Sequence, residues 1–260
     1  MKTPVLEVKG LSKSFGGLKA VNDVSLTVNP GEVVSIIGPN GAGKTTLFNC
    51  LTKFETPDAG QFHLEGRDIT GLRTHEINEA GVSRTFQQIR LFLNLTIMEN
   101  ILIGMHSRTR TNLLGALFRP PWVREEEAAA EAKVREVLGR FQNRLLPRLE
   151  QKASVLSYAN RRRLEIARAL ASDPHVLLLD EPAAGMNPHE THLVTELIGQ
   201  LRSEGYTILL IEHDMRVVMT ISDRVVVLDH GSKIAEGTPR EVQENEAVME
   251  AYMGRVIENA

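Results

Sequence analysis

The chain has 260 residues, of which 42% are hydrophobic, 24% charged and 5% aromatic, and its 30 Lys and Arg residues against 33 Asp and Glu residues give a formal net charge of −3. These fractions fit an ordinary globular protein and argue against collagen-like, disulfide-rich and disordered chains. The near-neutral charge gives no support for nucleic-acid binding, which usually needs a basic domain. Cys50 is the only cysteine, so an internal disulfide is excluded and a reducing compartment is expected.

The length predicts one large domain or two small ones. No membrane-spanning segment is expected. The longest apolar runs are about four residues, far below the roughly 20 that a membrane-spanning helix needs. At the N-terminus a charged residue comes before any apolar stretch, so no secretory signal is expected. A peripheral position on a membrane stays open.

The first part of the chain shows the patterns of β-strands. Val24, Leu26 and Val28 alternate with polar residues as in a half-buried strand, and residues 29–32 follow as a turn. Val33–Ile37 is mostly apolar and rich in β-branched residues, which predicts a central parallel strand buried on both faces.

The middle of the chain, from about residue 95 to 170, has a helical pattern. Residues 96–99 match a capping box, and residues 125–141 carry apolar side chains at helical spacing. We interpret residues 125–127, three glutamates, as the acidic first turn of that helix. Residues 112–122, which contain two consecutive prolines, are interpreted as the loop before it.

The last part returns to short apolar runs, at residues 176–179, 208–211 and 225–228. Between them Asn187, Pro188 and Glu190 open a helix as N-cap, first helical residue and reciprocal carboxylate. Strands that alternate with helices in this way predict an α/β fold with a mainly parallel sheet.

A glycine-rich loop follows the strand predicted at Val33–Ile37. Residues 38–45, followed by Thr46, match G-x-x-x-x-G-K-[ST], in which backbone N–H groups and the next helix surround phosphate oxygens. Lys44 is expected to reach the β- and γ-phosphates and Thr45 to ligate Mg²⁺. A glycine-rich turn without a ligand is the alternative, but the match also has the strand before and the helix after that the site requires. The predicted nucleotide-binding residues of this loop are Gly38, Pro39, Asn40, Gly41, Ala42, Gly43, Lys44, Thr45 and Thr46.

Two carboxylates end the apolar run at residues 176–179. Open α/β sheets bind ligands at the carboxyl ends of their strands, so Asp180 is expected to hold Mg²⁺ and Glu181 to orient and deprotonate an attacking water. His213 follows the run at residues 208–211 and is expected to contact the γ-phosphate. Taken alone, the acids could cap a helix and the histidine could lie on the surface, but the phosphate loop favours the catalytic interpretation.

Together these segments resemble the ATP-binding subunits of ABC transporters, in order and along essentially the whole chain. The resemblance is carried by the phosphate loop and by four further segments: residues 156–170 (signature segment), Phe86 with Gln87 (Q-loop), residues 180–187 (Walker B with D-loop) and His213 (H-loop). Phe15 precedes the phosphate loop where that family places an aromatic side chain that stacks on adenine.

The resemblance implies a P-loop NTPase (RecA-like) core with a mainly parallel sheet, an N-terminal antiparallel β subdomain and an inserted α-helical subdomain. The whole chain, 1–260, is then one ATP-binding domain, with residues 1–88 and 165–260 as the core and residues 89–164 as the helical subdomain. The implied cofactors are ATP and Mg²⁺. The resemblance also implies that Phe15 stacks on adenine, Gln87 joins the Mg²⁺ and water shell, and Ser157 and Ala159 contact the γ-phosphate of a partner's ATP.

The implied partners are a second ATP-binding subunit, homologous or identical, in a head-to-tail dimer, two integral membrane permease subunits and, indirectly, a solute-binding protein. No nucleic acid is expected. The implied location is the cytoplasmic face of the inner membrane, as a peripheral protein.

The finer pattern is similar to the branched-chain amino-acid branch of importers, in residues 84–87, 162–168 and 181–185. Related amide and urea importers share much of this pattern and remain an alternative. A soluble ABC ATPase outside transport is a further alternative, although such proteins typically bring a long coiled coil or a second ATP-binding unit.

Three residues depart from the family pattern. Ala159 stands in place of the usual glycine, Asn160 in place of glutamine and Asn187 in place of the D-loop aspartate. Alanine adds a methyl group where glycine allows the closest approach of backbone to phosphate. Because of the head-to-tail geometry, a weakened signature would impair the partner's site, and we expect this chain's own site to be competent for hydrolysis.

Overall fold

A computed structural model describes residues 3–105, 120–141 and 144–258 of the chain. The chain divides into two compact units, one formed by Met1–Arg84 with His175–Ala260 and the other by Thr85–Pro174. The helix Tyr158–Ala171 lies whole in the second unit, so the predicted boundary between residues 164 and 165 falls inside a helix.

Ten β-strands are found in the described residues. They are β1 (Leu6–Phe15), β2 (Leu18–Val28), β3 (Val33–Ile37), β4 (Ala59–Leu64), β5 (Arg67–Asp68), β6 (Val82–Arg84), β7 (Val176–Asp180), β8 (Ile208–Ile211), β9 (Arg224–Asp229) and β10 (Ser232–Gly237).

The same residues contain nine α-helices. They are α1 (Lys44–Leu51), α2 (Thr74–Ala80), α3 (Ile97–Gly104), α4 (Pro121–Gly139), α5 (Tyr158–Ala171), α6 (Pro188–Ser203), α7 (Met215–Ile221), α8 (Pro239–Gln243) and α9 (Glu246–Glu258).

The first unit contains a six-stranded sheet in the order β10-β9-β3-β8-β7-β6. All neighbours in it are parallel except β10, which runs antiparallel to β9. Strands β3, β7 and β8 are buried at every residue, as expected for parallel strands covered on both faces. The prediction of an α/β fold with a mainly parallel sheet is confirmed.

A separate antiparallel sheet, in the order β2-β1-β4-β5, lies in the same unit and confirms the predicted N-terminal β subdomain. Its inner face, helix α1 and one face of the parallel sheet share a hydrophobic core that includes Val8, Leu26, Phe48, Phe62 and Leu178. On the other face of the parallel sheet, a smaller core is formed by buried residues of β3, α7, β9, α8 and α9. The phosphate loop therefore leaves a strand that is fixed by packing on both sides.

Three helices, α3, α4 and α5, pack against one another in the second unit. Helix α3 begins with the predicted capping box, in which the Thr96 hydroxyl accepts from the Glu99 N–H and the Glu99 carboxylate accepts from the Thr96 N–H. The apolar side of α4 buries Val134, Val137 and Leu138. The predicted helical character of this region is thus confirmed for the described residues.

The start of α4 differs from the sequence prediction. The helix begins at Pro121, so Trp122 lies in the helix and not in a loop, and residues 125–127 lie beyond the first turn. The rest of the predicted loop, residues 112–119, lies outside the described residues. The helix can begin at Pro121 because a proline at the first helical position has its φ preset and lacks only an N–H that the helix would not use. The two prolines therefore mark a helix start rather than a loop.

Within the described ranges, no helix is long and apolar enough to span a membrane.

Candidate nucleotide-binding site

The phosphate loop is the turn between β3 and α1. Gly38, Gly41 and Gly43 have φ values of +148°, +80° and +97°, which side chains with a Cβ rarely allow. The ammonium of Lys44 folds over the loop and donates to the carbonyl oxygens of Gly38, at 2.7 Å, and Pro39, at 3.0 Å. The positive charge of Lys44 is therefore held inside the turn where phosphate oxygens would bind.

Two of these glycines are also required by neighbouring backbone. A Cβ atom on Gly38 would lie 2.0 Å from the carbonyl oxygen of Leu228 on β9, and one on Gly43 would lie 2.1 Å from the carbonyl oxygen of Ala20 on β2. Both contacts are with backbone, which cannot swing away as a flexible side chain can. The loop is thus fixed between two strands, a constraint that the motif itself does not reveal.

The Gly43→Ala variant is expected to lose ATP affinity by roughly 5- to 150-fold. Strain of about 1–3 kcal/mol is typical for a residue forced into a left-handed conformation, and each 1.4 kcal/mol corresponds to a tenfold change in affinity. Titration of the purified chain with ATP checks the prediction.

The matched control for this variant is Gly199→Ala in α6, where a Cβ meets nothing within 4 Å. It should keep the ATP affinity and raise the free energy of unfolding by about 0.5–1 kcal/mol, because alanine loses less backbone entropy in a helix. A folded Gly43→Ala variant with unchanged ATP affinity would contradict our account of the loop.

Strands β3, β7 and β8 end at the same edge of the sheet. Ile36 of β3 and Asp180 of β7 both pair with Ile211 of β8. The register therefore brings the start of the phosphate loop, the Asp180–Glu181 pair and the residues after Ile211 to one edge, as the sequence analysis expected from the rule for parallel sheets.

Glu181 has an unusual backbone conformation. Its φ is +46°, in the left-handed region, and its N–H donates to the carbonyl oxygen of Ile211 at 2.9 Å. Strain of this kind in a residue other than glycine is often found at functional sites, where surrounding structure enforces it. Here it turns the chain sharply after β7 and places the Glu181 carboxylate at the sheet edge.

A buried ion pair ties Asp180 to the rest of the site. The Arg84 guanidinium of β6 donates to Asp180 Oδ2 at 2.7 Å, and the two side chains are only 4% and 2% exposed. The same guanidinium donates to Asn49 Oδ1, at 2.8 Å, and Thr52 Oγ1, at 3.1 Å, both near the C-terminal end of α1. Arg84 therefore joins the end of β7 to the helix that follows the phosphate loop. Arg84 has no role predicted from the sequence, because a charged residue that ends a three-residue strand gives no local signal.

His213 lies close to two carboxylates. Its Nδ1 atom is 3.9 Å from Glu181 Oε2 and 3.8 Å from Glu212 Oε2, distances too long for hydrogen bonds, and its ring is exposed. The structure thus brings His213 and Glu181, two predicted catalytic residues, next to each other.

Glu212 is a buried carboxylate that the sequence analysis missed. It accepts hydrogen bonds from the N–H groups of Ala183, His213 and Asp214, at 3.1, 3.0 and 3.4 Å. Burial raises the pKa of Glu212, while these N–H groups lower it. The side chain links the turn after Glu181 to the turn that carries His213.

Phe15, the predicted adenine-stacking residue, ends β1 beside the turn into β2, and its ring is about half exposed. The Lys13 ammonium lies 5.3 Å from the centre of that ring. Because the backbone of Ala20 touches Gly43, the strand that follows this turn runs beside the phosphate loop. An exposed aromatic face near the loop suits a nucleobase.

Three predicted residues, Gln87, Ser157 and Ala159, lie in the second unit. Ser157 caps α5, where its hydroxyl accepts from the Asn160 N–H at 3.4 Å, and it is exposed. Gln87 is also exposed. Ala159 is only 3% exposed. Of the signature residues, Ser157 is therefore available to a ligand from outside, whereas the methyl group of Ala159 packs inside the unit.

Oxygen ligands that suit Mg²⁺ are present at the sheet edge. Thr45, at the start of α1, is exposed and supplies a hydroxyl, and Asp180 supplies a carboxylate. Asn49 lies one helical turn after Thr45 on the same face of α1, and Arg84 bonds both Asn49 and Asp180. The donor types fit a magnesium ion bound with a nucleotide phosphate.

Comparison with known proteins shows which family the chain belongs to. Residues 21–184 match the family described as ABC transporter, and residues 232–258 match the family described as branched-chain amino acid ATP-binding cassette transporter. The high-affinity branched-chain amino acid transport ATP-binding protein BraF of Pseudomonas aeruginosa is 50% identical over 260 residues, which cover 98% of this chain and 99% of that protein.

Two solved structures show the same fold. An ATP-binding cassette of an ABC transporter in its ADP conformation has a TM-score of 0.83 and 35% identity, covering 96% of this chain and 99% of its own. A dimeric ATP-binding cassette in a post-hydrolysis state, bound to ADP and Pi, has a TM-score of 0.73 and 26% identity, covering 90% and 99%. The chain belongs to the ABC transporter family, as an ATP-binding subunit in the branch of the branched-chain amino acid transport ATP-binding proteins.

Proposed function

We propose that this chain hydrolyses ATP to drive the uptake of branched-chain amino acids by a membrane importer. ATP hydrolysis is supported by one observation: the phosphate loop lies at the same edge of the parallel sheet as Asp180, Glu181 and His213. The 50% identity to BraF over nearly the whole chain supports the choice of transported molecule.

The reaction is the attack of water on the γ-phosphate of ATP, in which the new bond from oxygen to the γ-phosphorus forms while the bond to the bridging oxygen breaks and ADP leaves. Lys44 and the N–H groups of the phosphate loop bind the phosphate oxygens and stabilise their negative charge. Thr45, Asp180 and Gln87 would hold Mg²⁺, which when bound would neutralise part of the negative charge of the phosphates. Glu181 orients the water and takes its proton.

His213 contacts the γ-phosphate from the end of β8, close to the Glu181 carboxylate. Phe15 stacks on the adenine ring. Phe15 and His213 both belong to the first unit.

The active form is a head-to-tail dimer with a second ATP-binding subunit. Ser157 and the N-terminal turn of α5 then contact the γ-phosphate of the partner's ATP, since a helix N-terminus favours an anion. Support comes from the exposure of Ser157 and from the fold shared with a dimeric cassette. Two permease subunits place the assembly at the cytoplasmic face of the inner membrane, and a solute-binding protein delivers the amino acid.

The experiment is to purify the chain from its native membrane under mild detergent and identify what accompanies it. We expect two polytopic membrane proteins, and ATP turnover that a leucine-, isoleucine- or valine-loaded solute-binding protein stimulates. Stimulation by amides or urea instead would overturn the substrate assignment. A chain that binds ATP but purifies with ribosomes or DNA would overturn the transport function.

A further inference from the structure

A fully buried ion pair lies in the second unit, on helix α5. Arg162 Nη1 is 2.8 Å from Glu165 Oε2, and the two side chains are 0% and 1% exposed. Buried charged residues of this kind are rare in proteins unless they are paired. A pair this deeply buried needs further hydrogen bonds to satisfy its remaining donors and acceptors.

Those further bonds go to residues 86–90, the segment around the Q-loop. Arg162 donates to the carbonyl oxygens of Phe86, at 2.5 Å, and Gln87, at 2.7 Å. Glu165 Oε1 accepts from the N–H groups of Phe86, at 3.4 Å, and Arg90, at 3.3 Å. Two side chains of one helix thus hold four backbone groups of a segment that is distant in the sequence.

The segment itself has neither helix nor strand to satisfy its backbone, so it depends on such partners. The planar guanidinium of Arg162 can serve two neighbouring carbonyls at once, which a lysine cannot do in the same geometry. The Arg90 guanidinium also stacks over the Phe86 ring, 4.2 Å from its centre. The result is a fixed loop around Gln87.

The neighbouring arginines make different contacts. Arg161 donates to the carbonyl oxygen of Ser154 and Arg163 to Asn160 Oδ1, both within the same stretch of chain. Arg162, by contrast, connects the helix that Ser157 caps to the segment that contains Gln87. Arg162 therefore has a long-range structural role within the arginine run.

We propose that Arg162 and Glu165 are positioning residues that fasten Gln87 to the signature helix. Residues 86–90 and the start of α5 then move as one body. The inference rests on the proposed function, in which Gln87 acts at the chain's own nucleotide and Ser157 at the partner's. When Ser157 contacts the partner's ATP, Arg162 and Glu165 thereby transmit that contact to Gln87, which acts at the chain's own ATP.

The test uses the chain assembled with its copurifying membrane proteins. The principal variant is Arg162→Met with Glu165→Met, because removing both charges together avoids an orphaned buried ion. We expect kcat for ATP to fall roughly 10- to 100-fold, as for a misplaced catalytic group. The ATP affinity of the chain should stay within about twofold, since Lys44 and the phosphate loop lie in the other unit.

Hydrogen exchange separates positioning from simple packing. The amides of Phe86 and Arg90 should exchange at least about tenfold faster in the double variant, while those of α5 keep their protection. Arg162→Lys, which keeps the positive charge but not the planar guanidinium that bonds two carbonyls, should give an intermediate kcat. The control is Arg140→Gln, which removes a partly exposed Arg140–Glu136 pair of the same unit and should change neither measurement.

The possible failures can be told apart. If Gln87→Ala leaves kcat unchanged, the proposed role of Gln87 is wrong and the inference falls with it. If Gln87→Ala lowers kcat while the double variant does not, the inference alone is wrong. Unchanged exchange at Phe86 and Arg90 in the double variant would also overturn it, because the pair would then not hold the segment.

Discussion

Replacing Glu181 by glutamine is expected to lower kcat for ATP hydrolysis at least about 100-fold. A well-placed general base contributes roughly 10²- to 10⁴-fold to a rate, and an amide of the same size cannot accept the proton of the attacking water. The backbone should be unaffected, because the N–H bond to Ile211 and the left-handed φ of residue 181 do not involve the side chain. ATP affinity should therefore stay within about threefold of the wild type, since the phosphate loop is intact.

The measurement is steady-state phosphate release by the assembled transporter, with ATP binding measured on the same preparation. Glu196→Gln provides the matched control, since it removes an exposed carboxylate on α6, in the same unit. The control should hydrolyse ATP at the wild-type rate. Wild-type turnover by the Glu181→Gln variant would show that another group activates the water, and the catalytic assignment of Glu181 would be abandoned.

The parts of the site that could be predicted from the sequence depend on local patterns. Residues 38–46 form a contiguous motif whose chemistry is fixed by residue type and spacing, and strands buried on both faces stand out as apolar runs. Asp180 and His213 could be placed together because parallel strands end at one edge of a sheet. The register of Asp180 and Ile36 with Ile211 agrees with that expectation.

The residues that could not be predicted act through contacts distant in sequence. Arg84, Arg162 and Glu212 are charged, and charged residues are mostly exposed. Their burial depends on partners brought close only by the complete fold, such as Asp180 for Arg84 and the backbone of Phe86 for Arg162. No spacing rule connects such pairs. The motifs of a site can therefore be recognised in the sequence, whereas the residues that support them cannot.

Of the substitutions proposed for this chain, the removal of Arg84 should lower the free energy of unfolding most. In the Arg84→Met variant the Asp180 carboxylate stays buried without its guanidinium partner, and breaking a buried ion pair in this way typically costs about 3–5 kcal/mol. The loss of hydrogen bonds to Asn49 and Thr52 acts in the same direction. We expect the free energy of unfolding, measured by urea denaturation without nucleotide, to fall by about that amount.

A second substitution tests the cause of this loss. Adding Asp180→Asn to Arg84→Met removes the buried charge, so the double variant should be more stable than Arg84→Met alone, with a favourable coupling between the two sites. Arg73→Met, which breaks the exposed Arg73–Glu76 pair, should change stability far less. If Arg84→Met were as mild as Arg73→Met, the pair could not be holding Asp180, and the end of β7 would have to be fixed by packing of the strand alone. If instead the double variant were less stable than Arg84→Met, the loss would come from the missing bonds to α1, and Arg84 would serve mainly to anchor that helix.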